Sequence, residues 1–198
     1  MTTVKKVILL VLCAALVACA SVMGTLAYLQ MQTGTIKNTM TVGNVTITLD
    51  EAKVTVYGEK DGESRVLKND YKLIPGHTYL KDPVVHVAAN SEACWLFVIV
   101  KNEIAHMEAG NTIENQMIAN NWICLDNSQG LYVYNGVVAS NASQQDIPVF
   151  QSFTINSELE AVQMTDGIVE VTAYAVQAVG FATAKDAWNA SGFGTQIP

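Results

Sequence analysis

Three histidines, two cysteines beyond the first 27 residues and two sets of neighbouring carboxylates are the groups in this 198-residue chain whose types could do chemistry, and spacing limits what they can do. His77 follows a Pro-Gly turn, His86 lies within the strand-like text VVHV, and His106 sits in NEIAHMEAGN. A zinc protease of the helical kind needs two histidines four apart on one helix face with a glutamate beside the first. Here the closest pair, His77 and His86, is nine residues apart across a turn and a strand, so the expectation is three unrelated histidines and no metal or other cofactor. A Gly-x-Ser-x-Gly elbow and a phosphate-cradling Gly-x-x-x-x-Gly-Lys loop are both missing. Cys94 and Cys124 lie in apolar text, ACWLFVIV and NWICLDN, which favours quiet thiols over a Cys–His nucleophile. They are also the candidates for a single internal disulfide, which export permits but the spacing does not demand. Asp50 with Glu51, and Asp61 with Glu63, read as solvated ends of strands and turns, not as acid/base dyads or calcium ligands. Trp95, Phe97, Trp122, Tyr132, Tyr134 and Trp188 read as core and sheet-face packing in preference to a carbohydrate platform. An enzyme is not expected from these residues.

The elements that would position such groups begin after an export signal. Lys5 and Lys6 precede an apolar run from Val7 to Ala20, and small residues follow, with Thr25 and Ala27 at the minus-three and minus-one positions of a cut before Tyr28. That is the pattern of a secretory signal peptide. The apolar core is shorter than the roughly 20 residues that span a bilayer. Leu16, Val17, Ala18 and Cys19 also have the form of a lipobox, the alternative in which Cys19 carries lipid. Cutting at Ala27 leaves nine basic against eighteen acidic groups, a net charge of −9. Such a chain lacks the basic footprint that nucleic acid or anionic lipid requires. The expected organisation is a signal peptide over 1–27, an N-terminal arm over 28–39 and one β-domain over 40–198, with the product outside the cell.

Read with a period of two, the mature chain is strand after strand. Val45, Ile47 and Leu49 alternate with Thr46 and Thr48, and the stretch from Ala52 to Lys68 reads as a hairpin turning at Asp61-Gly62. Pro75-Gly76 marks a turn and Pro83 opens VVHVAA. ACWLFVIV is apolar throughout, which predicts a central strand covered on both faces. LYVYNGVVA, IPVFQSFTI and GIVEVTAYAVQAVGF complete the set, the last placing Val169, Val171, Ala173, Ala175, Val179 and Phe181 on one side. Two stretches are helical instead. Thr112 caps NTIENQMIANNW, and Thr183 with Asp186 forms a capping box that runs to a stop at Gly192. The fold class is therefore all-β: a two-sheet antiparallel β-sandwich with one or two short helices, of jelly-roll or immunoglobulin-like topology.

Gly24, Thr25, Ala27 and Tyr28, then Asn38, Thr39, Gly43 and Asn44, stand in the order of a known export and first-strand region. The stretches YKLIPGHTYLKDPVVHVAANSEACWLFVIVKNE and AYAVQAVGFATAKDAW continue the match, so that residues 24 to 190 together resemble the TasA/camelysin family. Met40 stands where that family usually has an aromatic, and its aspartate shortly after the cut is missing, with Gln30 and Gln32 nearby. The resemblance implies cleavage between Ala27 and Tyr28 by a SipW-type signal peptidase, which would discard Cys19. It implies a jelly-roll subunit of extracellular fibres or biofilm matrix, secreted or held at the cell surface, whose partners are copies of itself or related fibre subunits. Filament-forming members assemble by donating an N-terminal strand to an open sheet edge of the next copy. Here the candidate donor segment carries Tyr28, Leu29, Met31 and Ile36. Camelysin has been classed as a metalloprotease, so a surface protease is the competing expectation, and a monomeric adhesin or ligand-binding sandwich is a third.

Overall fold

Alternation turns into strand almost everywhere the sequence suggests it, and the departures follow from long-range packing. The computed structural model describes residues 44–160 and 163–197, all within the contact unit Val42–Pro198. The cleavage position Ala27 and Tyr28, and the donor residues Tyr28, Leu29, Met31 and Ile36, lie outside the described residues. In chain order the strands are β1 (Ile47–Val54), β2 (Lys60–Val66), β3 (Thr78–Leu80), β4 (Val84–Val87), β5 (Cys94–Asn102), β6 (Trp122–Asp126), β7 (Leu131–Tyr134), β8 (Gln145–Pro148), β9 (Ser152–Thr154) and β10 (Val169–Gln177). Two helices, α1 (Ile113–Ala119) and α2 (Ala184–Ser191), and a 3-10 turn at Ala105–Met107 interrupt them. The chain is mostly β and every strand pairing is antiparallel, in sheets ordered β2-β1-β4-β8, β10-β5-β7-β6 and β3-β9.

β5 is the organising strand. It lies between β10 and β7, and its alternate side chains enter two different cores. Leu96, Val98 and Val100 join Val85 and Val87 of β4, Ile147 of β8 and Trp122 of β6 in one cluster, so both four-stranded sheets contribute to the same interior. Phe97 points the opposite way, with Leu131 and Val133 of β7, onto Ala187 and Trp188 of α2. That explains the unbroken apolar text of CWLFVIV: one face is buried in the shared core and the other is largely covered, with Trp95 and Ile99 half-buried. Helix ends follow the caps read from sequence. Thr112 Oγ1 accepts the Asn115 N–H, Thr183 Oγ1 accepts the Asp186 N–H at 3.1 Å, and Gly192 closes α2 with a left-handed φ of 72°.

Several expectations need correction. The β1–β2 hairpin turns at Thr55–Glu59, not at Asp61-Gly62, which lie within β2 beside a register shift. Gly58 has φ +77°, and a Cβ there would stand 2.7 Å from Tyr79 Cα, so the turn is selected by close approach of a distant strand. IPVFQSFTI is not one strand; it divides into β8 and β9, which belong to different sheets. The break is held by the Gln116 side chain of α1, whose Oε1 accepts the Gln151 and Ser152 N–H groups. β10 ends at Gln177, leaving Val179 74% exposed, while Phe181 packs with the α2 cluster. Cys94 and Cys124 are both free; Cys94 is buried as its apolar text suggests, whereas Cys124, on β6, is exposed. Cys124 pairs with Tyr132, and Tyr132 with Val98, so two strand spacings and four residues along β5 separate the cysteines. At about 4.8 Å per spacing and 3.3 Å per residue that exceeds the roughly 7 Å limit for a bridge. Burial pushes the Cys94 thiol up to about 11. Among the described residues no helix is long and apolar enough to cross a membrane.

Candidate functional site

The residues read from sequence as candidate chemistry are scattered. His77 Nε2 lies 2.8 Å from the Tyr57 carbonyl oxygen, and His106 Nε2 lies 3.4 Å from Thr165 Oγ1. Among the described residues no three His, Cys, Asp or Glu side chains are grouped so as to hold a metal ion. Asp61 and Glu63 form surface pairs with Lys53 and Lys60, both at 2.6 Å. The aromatic residues divide between the two cores, with Trp122 and Trp188 fully buried.

What the fold does build is an open groove of about 1190 Å³ between β1 and β10. β2 pairs with β1 at Glu51, Ala52 and Val54, so among the described residues β1 is paired from Ile47 to Asp50 on one side, to β4. Among the described residues β10 is paired on one side along its whole length, to β5. The phase of each strand follows from its flanking hydrogen bonds. Ala178 N–H donates to Ala93 and Glu103 N–H donates to Ile168, so even-numbered residues of β10 face β5. Val169, Val171, Ala173 and Ala175 therefore turn their N–H and C=O groups to the open side. On β1, Ala88 N–H donates to the Thr46 carbonyl, which leaves Ile47 and Leu49 pointing away from β4. Side chains of Ile47, Leu49, Val169, Val171 and Ala173, with Ile104 and Phe153, make the groove lining largely apolar. Each strand thus turns donors and acceptors to an edge that no other strand pairs with there among the described residues, beside the apolar lining. Backbone groups so placed, with apolar side chains beneath, are what an added β-strand requires.

A charged ladder crosses the same sheet and meets the groove at Asp50. Asp50 Oδ1 accepts hydrogen bonds from Arg65 Nε and from His86 Nε2, the latter at 3.0 Å. His86 Nδ1 lies 2.7 Å from Asp146 Oδ1, and Arg65 Nη1 lies 3.2 Å from Asp82 Oδ2. The chain Asp146, His86, Asp50, Arg65 runs across β8, β4, β1 and β2, linking all four strands of one sheet. Burial disfavours charge on both His86 and Asp50, but the hydrogen bonds and opposite charges outweigh it. His86 is raised above 6.5, and Asp50 is lowered below 3.8. Asp146 is lowered as well, by its hydrogen bonds to His86 and Gln144. A raised histidine stabilises the fold fully below its unfolded value of 6.5 and ceases to do so as pH rises through the folded value. Lowered carboxylates stabilise above 3.8 and cease as pH falls through theirs. Thermal stability is therefore expected to peak in mildly acidic buffer and to fall by up to about 1 kcal/mol as His86 deprotonates, the scale of partly exposed pairs. His86→Gln should flatten that alkaline decline in a pH series of melting curves; an unchanged decline would show that other groups cause it.

Sequence reading missed the other half of this site. Glu51 is not solvated: it is 5% exposed and paired at 2.6 Å with Lys81, itself 9% exposed. The signal was present, because period two places Glu51 on the same face as Val45, Ile47 and Leu49, opposite to Asp50. No family model, curated protein or solved structure matches this chain.

Proposed function

We propose that this chain is an exported structural subunit of extracellular fibres or biofilm matrix, of the TasA/camelysin kind. It is a two-sheet jelly-roll sandwich that assembles when the N-terminal arm of one copy enters the β1–β10 groove of the next. The observation that carries this reading is the groove itself, largely apolar in its lining and bordered by backbone edges of β1 and β10 that are unpaired among the described residues. The eleven residues from 28 to 38 suffice to run along the nine-residue β10. In an extended arm Leu29 and Met31 share a face, and those are the side chains suited to the apolar lining. Attachment of arm to groove, repeated head to tail, gives an open filament. Before export the arm continues into the signal peptide, so release by a SipW-type signal peptidase ties assembly to processing outside the cell. A net charge of −9 keeps processed copies apart until contact is specific, and less so in acid.

The test compares a chain beginning at Tyr28 with one beginning at Thr39, by light scattering and electron microscopy. The longer chain is expected to form filaments, and the shorter to remain monomeric while accepting a synthetic 28–38 peptide. Filament growth at equal rates from both would overturn the reading.

A further inference from the structure

Beside the groove, three side chains from different parts of the chain meet in an arrangement that a simple ion pair does not require. Glu51 on β1 holds two nitrogens with its two oxygens. Lys81 Nζ lies 2.6 Å from Oε2, and Asn69 Nδ2 donates to Oε1 at 2.9 Å. The Asn69 amide is held at its other positions too. Its Oδ1 accepts the Val54 N–H at 3.0 Å, and Nδ2 also donates to the Ala52 carbonyl at 2.9 Å. With one acceptor and two donors satisfied, the amide has a single orientation. Lys81 Nζ stands 5.9 Å from the centre of the Tyr71 ring, which packs edge-on against Tyr79 and Phe153, and its backbone N–H donates to Gln151. An amine, a carboxamide and a carboxylate bridging them are thus held together in the groove wall, with Glu51 and Lys81 buried and Asn69 half-buried.

We propose that Lys81 and Asn69 become joined by an intramolecular isopeptide bond, formed by the protein itself with Glu51 as proton carrier. The Glu51 carboxylate takes one proton from the Lys81 ammonium, leaving a neutral amine whose lone pair attacks Asn69 Cγ. Negative charge then develops on Asn69 Oδ1, where the Val54 N–H already points, as an oxyanion donor should. Glu51 delivers its proton to Nδ2, takes the second proton that the attacking nitrogen must lose, and passes that on as well. The C–N bond to Nδ2 breaks, ammonium leaves, and Glu51 returns to carboxylate. One ammonium and one carboxamide give one secondary amide and one ammonium ion, with no oxidant or co-reactant. Both nitrogens are held on the one Glu51 carboxylate, which brings the amine and the carboxamide side by side, the proximity such an amide exchange needs. The bond would tie the segment after β2 to the segment entering β4, and it is independent of whether the chain assembles.

The test is peptide mapping of the purified, folded protein by trypsin and mass spectrometry after denaturation. Trypsin cuts after Lys68, Lys72, Lys81 and Lys101 in an unlinked chain. The expected result is loss of the cut after Lys81 and recovery of Asn69–Lys72 attached to Leu73–Lys101, lighter than their sum by one ammonia. Glu51→Gln and Lys81→Arg are each expected to release Asn69–Lys72 as a free peptide. A free Asn69–Lys72 and a full cut after Lys81 in the unsubstituted protein would overturn the proposal without reference to any variant's folding. So would an ammonia loss confined to an unbranched asparagine peptide, the mark of succinimide formation. A branched peptide persisting in Glu51→Gln would overturn the role of Glu51.

Discussion

Replacing Phe97 by Ala is expected to destabilise the fold by about 3–5 kcal/mol, the range for deleting a buried aromatic. Phe97 is fully buried, and its ring centre lies 5.2 Å from that of Trp188. Trp188 is in turn packed edge-on against Tyr174 of β10, so one ring connects β5, β10 and α2. Removing it leaves a void that the surrounding strands cannot close without breaking ladder pairs on both sides of β5. Against a typical margin of about 5–15 kcal/mol, such a loss is a large part of the whole. Urea unfolding followed by tryptophan fluorescence measures it; a cost below about 1 kcal/mol would place Phe97 outside the core.

If the chain assembles through the β1–β10 groove as proposed, Ala173→Pro is expected to weaken assembly while leaving the monomer folded. Residue 173 directs its N–H to the open side of β10, so proline there removes a donor from the free edge and no bond from the β5 ladder. Losing one backbone hydrogen bond at the contact costs on the order of 1 kcal/mol, and the ring's obstruction of the incoming strand adds to it. At about 1.4 kcal/mol per factor of ten, subunit affinity should fall roughly tenfold or more. Thr172→Pro is the contrasting variant. Its N–H faces β5, so it should lower stability directly. Sedimentation and melting curves of the pair separate the two effects. Filaments from Ala173→Pro at the normal rate would exclude the β10 edge as the acceptor.

Local chemistry made some elements legible and left others hidden. The caps Thr112 and Thr183 act within their own first helical turns, so a few residues of sequence contain the whole interaction. CWLFVIV declared itself because two apolar faces have no other use. The β1–β2 turn was misplaced because Asp61-Gly62 satisfies local turn chemistry, whereas the true turn depends on how near Tyr79 comes to Gly58. The division of IPVFQSFTI depends on Gln116, 35 residues away from the Gln151 N–H that it accepts. Alternation shows which face of a strand is buried but not whether both of its edges are paired. The groove could not be read for that reason, although its lining residues Leu49, Val171 and Ala173 were all placed on inward faces.

The two four-stranded sheets present unlike exteriors. One is crossed by the ladder from Asp146 to Arg65 and carries no helix among the described residues; the other carries α2 and the aromatic packing of Phe97 and Trp188. Any array that repeats the molecule in a fixed orientation would print this contrast along its length, as an ionic stripe on one flank and a helical stripe on the opposite one. Bundling of neighbouring arrays through the first flank should respond to added salt, and bundling through the second should not.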